Sequence, residues 1–443
     1  MKRIRLYITI GVVLLMAACE SHYDETIALS QLTIALVSPD TPEKSFAHAR
    51  VELRGIGRDV IFVDTTDEQS LAHFQIPPGI YEASSSKAIK YGANSIEINN
   101  GTSGQIIVEG EAPTTITLNM VGSRLSQLVI KELYNGGIMK DDGKAFQSDK
   151  SFIIYNNTGL TASFNNLCVG ISAPYNSQAS NKWYGKQGKL IYEAEGYIPA
   201  IDGIWYFPET LTIEAYSQIV VNCHGAIDNT QTYPNSVNYA HADYYCMYNP
   251  ETGYANQSYY PTPASVIPSS HYLKAVKIGV SNAWPLSTTS PAFFLFQTQG
   301  TTPQEFGTNV RNMTYVPGSA QTDINKVLKV PVEWIVDGIE VFAASAKNAN
   351  QKRLTPAVDA GFVDLTNQHG HSLYRNVDKE ETENLKENQG KLVYNYSLGV
   401  SPSTDPSGID AEASIRNGAH IVYQDTNNSS ADFHEREKCS LRE

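Results

Sequence analysis

The sequence predicts a mostly β protein, with a small β-sandwich followed by a larger, elaborated sandwich carrying long loops. Three observations lead there. Only 18% of the 443 residues are charged, and tyrosine reaches 26, in a chain rich in Gly, Pro, Asn, Ser and Thr; that is a strand-and-turn composition rather than a helical one. Apolar and polar residues alternate in short runs, as strands with one buried face require. Turn residues separate these runs, and no stretch of the first hundred residues holds a 3.6-residue apolar period for long.

The first element is not part of either sandwich. Lys2, Arg3 and Arg5 precede an apolar run from Leu6 to Ala18. A basic start, a short apolar core and small residues before a cleavage point make a secretory signal, and the run is shorter than the ~20 residues that cross a bilayer. Residues 1–18 are therefore expected to be removed. Leu14-Leu15-Met16-Ala17-Ala18-Cys19 resembles a bacterial lipobox, with Met16 where Leu is more usual. The resemblance implies that Cys19 is lipidated and becomes the mature N-terminus. Residues 19–26 then form a tether, and its acids Glu20, Asp24 and Glu25 resemble the signal that sends lipoproteins of the Bacteroides type to the outer face of the outer membrane. Acyl chains, each adding about 0.8 kcal/mol per buried CH₂, anchor a protein without an apolar face of its own.

Residues 27–121 read as the small sandwich. Leu32–Val37, Arg50–Arg54 and Val60–Val63 alternate as strands. In Phe74-Gln75-Ile76-Pro77-Pro78-Gly79-Ile80-Tyr81-Glu82-Ala83, Pro-Pro-Gly turns the chain between two strands. This stretch resembles the transthyretin-like, carboxypeptidase-regulatory-like sandwich, in which such a turn links two core strands; the resemblance implies a fold and no activity. Ile106–Val108 and Thr115–Leu118 supply the last strands.

Residues 127–443 read as the larger unit. Leu128–Gly137 is a strand ending in Gly-Gly, and Lys150–Thr158 is a second. Together they resemble the opening of lamin-tail-like, immunoglobulin-like sandwiches. Ile219–Asn222, Ala292–Phe296 and Val332–Val341 follow as strands, the last with room for a short turn of helix. Asp378–Gln389 is charged and reads as a short exposed helix or loop. Between the strands lies a weakly patterned segment, about 165–290, expected to be a long aromatic insert with few strands; loops far beyond ~12–15 residues are usually functional or disordered, and this one is too aromatic for disorder. With Gly370–Arg375 and Asp425–Phe433, the whole chain resembles a family of Bacteroides-type outer-membrane lipoproteins encoded near TonB-dependent receptors. That resemblance implies an accessory role in capturing nutrients or metal complexes, and supplies no ligand residues.

Charge narrows the partners. The formal charge is −13; without residues 1–18 it becomes −16, from 30 Lys and Arg against 46 Asp and Glu. Such a surface disfavours nucleic acid and polybasic attachment to anionic lipid. Besides Cys19 there are Cys168, Cys223, Cys246 and Cys439, which leave room for one or two disulfides, Cys223–Cys246 among them, or for buried thiols. Cys223-His224 and His241-Ala242-Asp243-Tyr244-Tyr245-Cys246 bring together metal-type ligands, but at no zinc spacing. His369-Gly370-His371 is too small a set, and Asp141-Asp142-Gly143 and Asp425–Asn428 read as solvated turns, lacking a calcium loop. No metal and no cofactor is expected. No nucleophile elbow, His-Glu-x-x-His pair or phosphate loop is present, so enzymatic activity is not expected, although paired carboxylates that meet only in space would escape this reading.

The strongest binding candidate is the tyrosine-rich stretch, with eight tyrosines between Tyr233 and Tyr260. Tyrosine offers large, rigid contact area with a polar handle. Tyr239, Tyr244, Tyr245, Tyr248, Tyr259 and Tyr260 are the candidate ligand-binding residues, against the alternative that they pack loops onto the sandwich. The expectation is a non-enzymatic, lipid-anchored surface protein that captures a ligand beside a TonB-dependent receptor; the alternative is a structural or adhesive protein that meets host or neighbouring proteins.

Overall fold

The computed structural model describes residues 29–442, apart from 40, 59, 92–94, 111–112, 125, 186–187, 347 and 367–368. The signal segment, Cys19 and the tether lie outside the described residues. The protein is mostly β, built from several sheets.

The first nine strands are β1 (Ser30–Val37), β2 (Arg50–Gly55), β3 (Ile61–Thr65), β4 (Leu71–Ile76), β5 (Gly79–Tyr91), β6 (Ser95–Thr102), β7 (Ile106–Val108), β8 (Thr114–Asn119) and β9 (Val121–Arg124). They form two sheets. One has the order β4-β1-β8; the other runs β3-β2-β5-β6-β9, with β7 also paired to β5. Alternation in β1, β2 and β4 puts Leu32, Ile34, Val51, Leu53, Phe74 and Ile76 into a shared core. The Pro-Pro-Gly turn is closed by its own tyrosine, for the Tyr81 hydroxyl donates to the Pro77 carbonyl at 2.7 Å.

From residue 128 a single sheet dominates. Its strands are β10 (Leu128–Tyr134), β11 (Lys150–Asn156), β13 (Leu167–Ile171), β15 (Gly203–Tyr206), β17 (Gln218–His224), β18 (Tyr245–Met247), β19 (Tyr272–Lys277), β20 (Ala292–Gln297), β23 (Ile335–Ala343), β24 (Val363–Leu365), β25 (Ser372–Arg375) and β26 (Phe433–Arg436). The order is β24-β23-β20-β13-β15-β19-β18-β17-β11-β10-β25-β26. The sheet folds over on itself. Leu128 and Ile130 of β10, Phe152 of β11, Trp205 of β15, Phe293 of β20 and Ile339 of β23 share one interior, and the Ile130 N–H donates to Asp337 on β23 at 2.5 Å. Burial on both faces of β10 and β11 comes from a side cluster that holds Val129 and Tyr155, and that of β13 from a second core outside the first. There Cys168, Ile204, Phe294 and Phe296 pack under an outer sheet of β14 (Tyr197–Ile201), β22 (Lys326–Pro331) and β21 (Met313–Tyr315). A ribbon of β12 (Ala162–Phe164) and β16 (Leu211–Ile213) completes the strands.

The segment expected as a weakly structured insert is thus corrected. Residues 165–290 hold β13 through β19, and five of those strands are interior members of the large sheet. Among the described residues four short helices occur: α1 (Pro303–Thr308), α2 (Lys379–Asn384), α3 (Ala411–Arg416) and α4 (Ser429–Asp432). The turn of helix allowed for within Val332–Val341 is a 3₁₀ turn, Val332–Trp334, at the start of that stretch. The first sandwich meets the rest through Asn100, whose Nδ2 donates to the carbonyls of Thr426 (2.8 Å) and Asn427 (3.0 Å), and through Arg54, which lies 4.7 Å from the Phe362 ring centroid.

Candidate functional site

The six candidate tyrosines do not converge. Tyr239 is fully buried in a small cluster with Tyr134, Val237 and Cys439, its hydroxyl 3.1 Å from Ser151 Oγ. Tyr260 is buried in the main core, and its hydroxyl accepts from the Trp284 N–H at 3.0 Å. Tyr259 is half-buried beside His224, and Tyr248 packs edge-on to Tyr272. Only Tyr244 and Tyr245 join a surface feature: Tyr244 stacks on exposed His241 at 4.7 Å, and Tyr245 on His271 at 4.1 Å.

The groups with chemical potential are mostly locked inside. Cys168, Cys223, Cys246 and Cys439 are buried, unpaired thiols. Asn222 and Cys246 are opposite in the parallel β17–β18 pair, so Cys223, one residue on, faces the main core while Cys246 faces a separate cluster. Burial raises the thiol of Cys223 to about 12, moderated by Lys150. Burial, then the Lys150 charge, lowers His224 to about 3, and both its ring nitrogens face carbonyls, those of Gln147 and Trp284. Among the described residues no group of three or more His, Cys, Asp or Glu is placed to hold a metal ion.

Three buried ionic networks tie the large sheet. Arg353 grips Glu340 through Nε (2.9 Å) and Nη2 (2.6 Å), while the other carboxylate oxygen accepts from the N–H groups of Arg353 and Leu354. Arg375 faces Asp337, Asp425 and Asp432 together and donates from Nε to the Ile130 carbonyl. Lys131 pairs with Glu412 at 2.6 Å, and Tyr374 donates to the same carboxylate. Buried charges persist only when paired and hydrogen-bonded, and each of these is spent on architecture.

The concave feature with uncommitted side chains lies elsewhere. A cleft of about 540 Å³ opens where β14 and β22 meet α1 and the Val332–Trp334 turn. Its construction follows from local rules. Tyr197 pairs with Pro331 across β14–β22, and Ile198, Leu328 and Val330 turn into the underlying core, which leaves Lys329 and Pro331 on the other face. Thr302 and Glu305 form a capping box that fixes the start of α1. That seats Phe306 below Trp334, ring centroids 4.8 Å apart. The Glu305 carboxylate is turned back onto Thr302, and these hydrogen bonds hold it below the usual carboxylate range. Asn309 caps the next turn through Arg311 N–H, and Asn312 donates to the Phe306 carbonyl.

What remains free is the working set. Lys329 sits 5.9 Å from the Tyr197 ring centroid, a cation–π approach. Burial, then the nearby Glu195 charge, raises the Tyr197 hydroxyl to about 12. Arg311, Lys329, Glu195 and Gln299 line the cleft with half-buried Trp334. Sequence reasoning missed this site because its residues come from three separated stretches, 195–197, 299–312 and 329–334. The signals that pointed toward it were the Thr-Pro-x-Glu helix start and a tryptophan two residues into a strand-like run.

Fold and site together define a mostly β protein in which one closed-over sheet carries an outer sheet with an open cleft. Residues 217–395 match the model of a family described as a protein of unknown function, DUF4876. The matched stretch is not a separate folding unit, for β17 pairs with β11 and β20 with β13, both outside it. The structure is similar to the crystal structure of a DUF4876 family protein from Bacteroides thetaiotaomicron, at 18% identity and a TM-score of 0.51, covering 91% of this chain and 94% of that one. At that identity the likeness concerns the fold. Two further solved structures share too little to carry an argument. One is a candidate carbohydrate binding protein from Pseudomonas aeruginosa (18% identity, 21% of this chain and 89% of that one, TM-score 0.18). The other is the TIE protein of Bacillus anthracis (14%, 44% and 28%, 0.18). The comparison with curated proteins finds no match. No helix among the described residues is long and apolar enough to cross a membrane.

Proposed function

We propose that this chain is a lipid-anchored, non-enzymatic binding protein of the outer-membrane surface, which captures a nutrient or metal complex beside a TonB-dependent receptor. The observation that carries the reading is the cleft. It gathers an indole, two cations without a carboxylate partner among the described residues, a carboxylate and an amide, on a scaffold whose buried ion pairs are tied into packing. Such a concave, largely preformed site with a few convergent polar groups is the usual form of a ligand site. The lipobox-like Leu14–Cys19 stretch and the acids behind it support the location. A second reading, adhesion to another protein, is favoured by the strip of His241, Tyr244, Tyr245 and His271, whose rings stack in pairs at the surface.

The test begins with the anchor. Cells grown with a labelled fatty acid should incorporate it into the wild-type protein and not into Cys19→Ser, and protease added to intact cells should digest the anchored form. Retention of the serine variant at the envelope, processed as before, would refute the proposal. Co-purification of a TonB-dependent receptor from gently solubilised membranes supports the capture reading; a surface phenotype confined to adhesion, lost in Tyr244→Ala/Tyr245→Ala, supports the second.

A further inference from the structure

We infer that the cleft between β14, β22 and α1 takes a saccharide bearing a carboxylate. The inference rests on the cleft being the ligand site and goes on to name the ligand's chemistry.

Two features point to a sugar ring. Trp334 lines the cleft half-buried, with Phe306 packed against it in a T-shaped contact, so an apolar ring is held in place at the cleft. A pyranose presents a matching face of C–H groups, with hydroxyls at its rim. Around the indole stand side chains suited to hydroxyls: Glu195 accepts, Gln299 does both, and Arg311 donates in a fork. A wholly apolar ligand would bury those groups without partners, at a cost of roughly 1–3 kcal/mol each.

The charge points to a carboxylate. Arg311 and Lys329 share the cleft, and no described carboxylate forms an ion pair with either one. That is unusual in a chain of net charge −13, where a stray cation readily finds an acid. Of the two acids at the cleft, Glu305 is engaged by Thr301 and Thr302, which leaves Glu195 against two cations. A guanidinium and an ammonium that line the same cleft as an indole match a ring with one carboxylate, since arginine binds that group bidentately and lysine adds a point charge.

The chain contains its own reporter. Of its four tryptophans, Trp183, Trp205 and Trp284 are no more than 2% exposed, so quenching by acrylamide reads Trp334. The experiment titrates the protein with a hexameric galacturonate and with its fully methyl-esterified, uncharged counterpart. Galacturonate is expected to protect the quenchable fluorescence, with affinity at least tenfold above the ester and falling as salt rises. Arg311→Gln and Lys329→Gln, both at exposed or half-buried positions, should each weaken galacturonate about tenfold without moving the urea midpoint. Trp334→Phe should abolish the quenchable signal. Equal binding of acid and ester, or unchanged binding in the two glutamine variants, overturns the carboxylate. Protection by neither oligosaccharide overturns the saccharide, while the acyl-labelling result still decides the surface-binding reading separately.

Discussion

Lys150→Met should stabilise this protein at pH 6 and do much less at pH 9. Lys150 is the first residue of β11, 1% exposed, and its Nζ donates to the Leu286 carbonyl at 2.6 Å and the Gln147 side chain at 3.1 Å. Among the described residues no carboxylate pairs with it. Burial therefore lowers it from 10.5 to about 7, with the Cys223 thiol pulling weakly the other way. The folded-state value is depressed, so the associated stability is present above the unfolded value near 10.5 and is lost as pH falls toward 7. Each unit is worth about 1.4 kcal/mol, which puts the penalty near ~5 kcal/mol at pH 6 and ~2 kcal/mol at pH 9 as upper values. Methionine removes the charge and leaves the Leu286 carbonyl without its donor, a loss of roughly 1–3 kcal/mol. The expected net gain is then about 2–4 kcal/mol at pH 6 and near zero at pH 9. Urea unfolding followed by tryptophan fluorescence measures it. His224 and Cys223 titrate outside this window, near 3 and 12, and more distant groups cancel in the difference between variant and parent. A difference that is the same at pH 6 and pH 9 would refute the reasoning, because it would mean that the lysine keeps its ordinary titration.

The acids around Arg375 should show the opposite trend. Burial raises Asp432 to about 8 despite Arg375, so its stability is full below 3.8 and is lost as pH rises through 8; Asp432→Asn should flatten the fall in urea midpoint between pH 6 and 9, and an unchanged slope would count against a raised carboxyl. Arg353→Met leaves Glu340 buried without its cation and should cost about 3–5 kcal/mol, read as a lower midpoint; the double change with Glu340→Leu should recover most of it. Tyr239→Phe removes one hydroxyl contact, to Ser151, and should cost about 1 kcal/mol, whereas Tyr244→Ala/Tyr245→Ala, at half-buried surface positions, should leave the midpoint within about 1 kcal/mol if these rings are free to bind rather than needed for packing. A thiol reagent should find none of Cys168, Cys223, Cys246 and Cys439 in the native protein and all of them in urea, without any reductant.

What could be read from the sequence follows from how many faces of a strand are buried. β1, β2 and β4 bury one face, so Leu32, Ile34, Val51 and Phe74 stand out at alternate positions. β13 and β15 have an apolar core on each side, and they run only five and four residues. Leu-Cys-Val-Gly-Ile and Gly-Ile-Trp-Tyr therefore show no period, and the centre of the large sheet reads as a loop. β17 was visible because Ile219-Val220-Val221 is an unbroken β-branched run in a strand of seven residues. The same double burial explains the tyrosines. In a molecule with several small cores, a phenol fills the space between layers and still reaches a carbonyl or hydroxyl at their margin, as Tyr155 does at Ile421 and Tyr192 at Arg353. A high tyrosine count in such a chain therefore measures the number of its layer boundaries more than the size of its binding surface. The aromatic that bears on a ligand is better sought where a strand begins against a capped helix, as at Trp334. There a half-buried ring packs against the helix, and its neighbours Arg311 and Lys329 are long cationic side chains without a described carboxylate partner.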